Sequence, residues 1–133
     1  MGQFKLKLLK IVLGLGAIYY LVGAFAHFFA VTLFPFFDAR LYAPYQDSLI
    51  ALCALIFAAL LVTVARDPDK NSDVLKLIIA GASVASVFSI AIIWRIDFAA
   101  LGAPDKELQT IVEGLLGFGF VGALLLLYPR KQG

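Results

Sequence analysis

Three ionisable side chains fall within or at the edge of stretches that are otherwise apolar: His27, Arg95 and Glu113. Taking such groups away from water is costly, so each is a candidate for chemistry or for pairing. Histidine titrates near neutral pH and suits proton transfer. A carboxylate in an apolar surround can carry a proton, and an arginine beside it can act as counter-charge or as an anion clamp. The plainer expectation is that Arg95 and Glu113 pair to hold helix register while His27 bonds to a neighbour. The sharper one is that the three line a ligand pocket or proton path, with Tyr20 beside His27. A third option is that Arg95 reaches water independently of Glu113.

These residues must be positioned by something, and composition narrows the choice. Of the 133 residues, 62% are hydrophobic and 15% are charged, an apolar fraction well above that of soluble domains. Lipid is the natural solvent for such a chain. The net charge of +2 and the scattered lysines and arginines argue against a nucleic-acid partner. No cofactor or metal is indicated. Cys53 is the only cysteine, which removes disulfides, Cys-x-x-Cys redox pairs and cysteine-built zinc sites. His27 and Met1 are the only residues of their types, so one chain lacks paired axial haem ligands, although a haem shared across a dimer stays open.

Hydropathy and punctuation predict an all-α, integral membrane four-helix bundle forming a single domain over 1–133, with spans at 11–34, 48–65, 74–96 and 105–128. Each is close to the roughly 20 apolar residues that cross a bilayer. Pro35 is expected to stop the first span and Asp47 or Ser48 to cap the second. The polar run Arg66 to Asp73 separates the second and third spans, and Gly102 with Pro104 marks the next turn. Asp105 and Glu107 suit the positive end of the fourth helix. Lys5, Lys7 and Lys10 before an apolar run, with Ala24-Phe25-Ala26, resemble a cleaved leader. Tyr19, Tyr20 and the continuation through Phe28, Phe29, Val31 and Leu33 favour an uncleaved span.

Lys5, Lys7, Lys10, Arg66, Lys70, Lys76, Arg130 and Lys131 fall on one side of this topology, against Arg40, Arg95 and Lys106 on the other. The positive-inside rule then places both termini in the cytoplasm. His27 and Glu113 are each expected about 10 Å in from the opposite side, at about 1.5 Å per residue, and Arg95 near it. Gly16, Tyr20, Gly23 and His27 share one face of the first span, and Gly81, Ala85 and Ser89 follow the small-xxx-small spacing of close helix contacts. Gly117 lies one turn beyond Glu113. These positions predict helix packing.

The combination of four spans, Trp94-Arg95-Ile96-Asp97 late in the third and Ile111-Val112-Glu113-Gly114 early in the fourth resembles the BphX-like and, more distantly, DoxX-like small bacterial membrane proteins. That resemblance implies a four-helix membrane fold and a bacterial inner membrane, and it carries over no catalytic residue. Ser83, Ser86 and Ser89 recur every three residues, but no catalytic or nucleotide-binding motif accompanies them. The leading expectation is therefore a non-enzymatic protein: an accessory or scaffold subunit, or a binder of a lipophilic small molecule, alone or in a homo-oligomer or larger membrane complex. The alternatives are an oligomeric proton-coupled transporter using Glu113, and a membrane-embedded enzyme acting on a quinone or lipid through His27 and Arg95.

Overall fold

The structure is a computed structural model that describes residues 2–129. Four helices follow one another: α1 (Gln3–Phe28), α2 (Pro44–Arg66), α3 (Ser72–Ile93) and α4 (Asp105–Leu127), with a short 3-10 turn (Ala39–Leu41) between α1 and α2. All four are long and apolar enough to cross a membrane. Among the described residues there is no strand, only an isolated antiparallel bridge between Leu33 and Phe37 in the first loop. Large apolar side chains such as Phe4, Ile18, Phe88 and Leu126 stand exposed around the bundle, an outer surface that suits hydrocarbon rather than water.

The helices depart from the predicted spans at their ends, for local reasons. α1 begins at Gln3 because lysine is a good helix former, so the helix extends before the apolar part that hydropathy marks. Its other end comes at Phe28, well before Pro35. Ala30 adopts φ 54°, and the N–H groups of Ala30 and Val31 donate to the carbonyls of His27 and Ala26 at 3.5 and 3.0 Å. This is a Schellman closure, with alanine in the left-handed position that glycine usually takes. α2 begins at Pro44, whose missing N–H costs nothing at the first helical position. Asp47 is therefore not the residue preceding the helix. It lies inside the first turn, and its carboxylate reaches back to accept from the Ala43 N–H at 2.6 Å. α3 stops at Ile93, leaving Trp94 and Arg95 just beyond it. Gly102 supplies the left-handed φ of 75° in the turn before α4.

α1 packs along α2 and α3 along α4, whereas α1 meets α4 sparsely and the backbones of α1 and α3 stay apart. The tight common core lies at one end of the bundle. There Leu9 and Leu13 from α1, Leu61 and Val64 from α2, Leu75 and Ile78 from α3 and Leu124 from α4 are all buried. Polar contacts close the same end: the Lys10 ammonium donates to the Arg66 carbonyl at 3.2 Å and the Tyr128 hydroxyl to the Ser72 carbonyl at 3.5 Å. Six described lysines and arginines gather here with three aspartates; the opposite end carries three basic and six acidic residues. Arg130 and Lys131, counted with the basic end, lie outside the described residues.

Candidate functional site

Away from the common core the two helix pairs leave space. A cavity of about 400 Å³ opens between α1, α3 and α4, within the size range of small-molecule sites. Its floor is built by shape. Gly16 on α1 admits the Phe120 ring of α4 so closely that an added Cβ would lie 2.8 Å from it. Gly117 on α4 faces Ser86 on α3, and a methyl group there would overlap the serine Oγ. Gly114 likewise leaves only 3.1 Å between an added Cβ and Ile90. Glycines thus draw α4 onto its neighbours and fix where the cavity begins.

The lining is graded along the bundle axis. Val12, Leu15 and Phe120 form its end nearest the common core, while Tyr19, Ser89 and Glu113 lie toward the acidic end. Glu113 stands two turns into α4, roughly 12 Å from its first residue at about 1.5 Å per residue. Lys106 of the same helix is its ion-pair partner, at 3.8 Å, and Tyr19 lines the cavity with it. The Ser86 and Ser89 hydroxyls donate to the carbonyls four residues earlier, Ala82 at 2.8 Å and Ala85 at 3.1 Å. That back-bonding commits their protons and leaves oxygen lone pairs for the cavity. Leu15, Ala85 and Leu116 line the cavity and are also exposed, so it opens on the apolar outer face of the bundle.

The first loop folds over the acidic end. Phe36 stacks on Tyr19 with ring centroids 4.7 Å apart. Asp38, 1% exposed, takes the Arg40 guanidinium in a forked contact at 2.6 to 3.1 Å, and Arg40 continues to Asp105 on α4 at 3.1 Å. These bonds from Arg40 outweigh burial and hold the Asp38 carboxyl below the usual carboxylate range. They push the already basic guanidinium further up. The loop is thereby tied to the start of α4, beside the cavity.

The structure does not bring His27, Arg95 and Glu113 together. His27 is the penultimate residue of α1, and its Nδ1 lies 2.7 Å from the Asp47 carboxylate at the start of α2. The imidazole also packs on Phe37 at 4.6 Å. Arg95 is exposed beyond the end of α3, with no side-chain partner among the described residues. Glu113 pairs with Lys106 and not with Arg95. Tyr20 lines the cavity and stacks on Phe57 of α2 at 5.0 Å. Gly23 faces Phe36, Gly81 faces Phe57, and Ala85 and Ser89 line the cavity. Sequence reasoning does not count Tyr19, Lys106 or Asp47 among the site residues. Lys106 and Glu113, seven residues apart, share a helix face, which is a usable signal. Asp47 needs the correct helix ends before its meeting with His27 can be read. Among the described residues no cluster of histidine, cysteine and carboxylate side chains could hold a metal ion. No protein-family model, curated protein or solved structure matches the chain.

Proposed function

We propose that this protein is a multi-pass membrane protein that binds a lipophilic small molecule between α1 and the α3/α4 pair, with both termini in the cytoplasm. The cavity supports this reading: it is apolar over most of its wall, open to the apolar surround, and carries a few convergent polar groups at one end. Such a combination is the usual character of a small-molecule site. The cluster of basic residues at the end bearing the α1 N-terminus and the α2–α3 loop supports the orientation. The resemblance to BphX-like and DoxX-like proteins favours a bacterial inner membrane.

Photolabelling tests the binding site. The purified protein in detergent is irradiated with 3-azioctanol, a short photoactivatable alcohol, over a concentration series, and the adducts are mapped by mass spectrometry. Saturable labelling concentrated on cavity residues of α1, α3 and α4 is expected, and it should vanish in Ala85→Trp, which fills the space. Non-saturable labelling spread evenly over the four helices would overturn the reading. The orientation is checked separately with Asn71→Cys in a Cys53→Ser background. The new thiol should react with an impermeant maleimide only after the cells are opened.

A further inference from the structure

The cavity wall carries one carboxyl group, Glu113, two serine hydroxyls whose protons are committed to their own helix, and the Tyr19 and Tyr20 phenols, and this chemistry selects a ligand. We infer that the cavity takes a short single-chain amphiphile with a cationic, hydrogen-bond-donating head, a primary alkylammonium, its head on Glu113 and its chain toward Phe120. This rests on the cavity being the binding site proposed above. Glu113 offers a carboxyl group whose ionised form has about four acceptor positions, with Lys106 at 3.8 Å and Tyr19 beside it on the cavity wall. Ser86 and Ser89 have committed their protons to backbone carbonyls and present only lone pairs. An ammonium supplies three donors and no acceptor, the complement of the carboxylate and the serine lone pairs. Tyr19, Tyr20 and Phe120 add aromatic faces that attract a cation.

The opposite head groups fit less well. A carboxylate head would meet Glu113 as a like charge, and a hydroxyl brings one proton to a set of acceptors. The end of the bundle nearest Glu113 has six acidic residues against three basic ones, a field that draws cations and repels anions. The grading of the wall fixes direction as well as class. Val12, Leu15 and Phe120 offer the chain an apolar slot, and on α1 the lining from Val12 to Tyr20 spans roughly 12 Å at about 1.5 Å per residue. Lys106 faces the carboxylate at 3.8 Å, so a bound ammonium competes with a tethered one.

The test uses decylammonium, decanol and decanoate as competitors of 3-azioctanol labelling in the intact purified protein. Charge-assisted hydrogen bonds exceed neutral ones enough to expect decylammonium to displace the label at a concentration about ten-fold or more below decanol, with decanoate weakest. Glu113→Gln should abolish that preference, and Lys106→Met should sharpen it by freeing the carboxylate. Equal competition by all three heads, or a preference that survives Glu113→Gln, would overturn the inference while leaving the cavity as a binding site. Absence of saturable 3-azioctanol labelling would instead remove the binding site itself and the inference with it. Reduced decylammonium competition in Lys106→Met would also count against it, because it would make the lysine part of the ligand contact and not a rival.

Discussion

Gly117→Ala should destabilise the bundle, and the structure gives both the size of the effect and its control. The new methyl would overlap Ser86 Oγ and stand 3.3 Å from Ser86 Cβ. Ser86 is 2% exposed and bonded to the Ala82 carbonyl at 2.8 Å. Rotating the hydroxyl aside forfeits that bond, worth about 1 kcal/mol. The remaining Cβ contact is still tight, and overpacking a close interface typically costs about 1–3 kcal/mol. Replacing a helical glycine returns roughly 0.5–1 kcal/mol of backbone entropy. The net expectation is a loss of about 1–3.5 kcal/mol. Gly119, two residues along the same helix, has nothing within 4 Å of an added Cβ, so Gly119→Ala should gain the entropy term alone. Reversible unfolding in mixed SDS micelles, followed by far-ultraviolet circular dichroism, measures both variants. Ser86→Gly removes the obstructing atoms and should rescue Gly117→Ala, giving a coupling energy of about 1–3 kcal/mol in the double-mutant cycle. A Gly117→Ala variant as stable as Gly119→Ala, or equally damaged with and without Ser86→Gly, would refute the α3–α4 contact.

Ala30→Gly should stabilise the protein by about 1 kcal/mol in the same unfolding assay, because the position holds φ 54° and glycine carries no Cβ penalty there. Asp47→Ala should cost about 2–3 kcal/mol and exceed the loss in His27→Phe, since the carboxylate serves both the His27 ring and the Ala43 N–H whereas the phenyl ring keeps the packing on Phe37. The Asp38–Arg40 fork has a defined acid dependence. A folded pKa below the ordinary 3.8 makes its contribution to stability complete above that value and lost as pH falls through the lower, folded value. The Arg40 Nε–H resonance should therefore persist from neutral pH down to about 4 and weaken only below it; in Asp38→Asn it should be weak throughout.

The helices are legible in the sequence because their signal is long and cumulative. Each apolar run is bounded by groups that hydrocarbon excludes, such as Lys10, the Arg66 to Asp73 stretch and Asp105. Their ends are harder to read because single residues with atypical geometry decide them. Nothing in the identity of Ala30 announces a left-handed residue, whereas Pro35 advertises a stop that the chain has already made. In the same way, Asp47 carries the composition of a capping residue but acts from within the first turn, reaching back past Pro44 to the Ala43 N–H.

Those end effects determine which charged groups can meet. With α1 ending at Phe28, His27 stands at the rim of the bundle and is met by Asp47 at the start of the antiparallel α2. With α3 ending at Ile93, Arg95 is carried clear of Glu113. Glu113 is left with Lys106 on its own helix and Tyr19 across the cavity. Interior space follows from the same economy of contacts. Leucine, isoleucine and valine side chains knit all four helices at the basic end. Toward the acidic end, the alanine and serines of α3 at 85, 86 and 89 and the glycines of α4 at 114 and 117 bring those two helices together without filling the gap to α1. Small residues that tighten one helix pair thus leave unfilled the volume between the pairs, and the polar atoms facing that volume are the ones a ligand would meet.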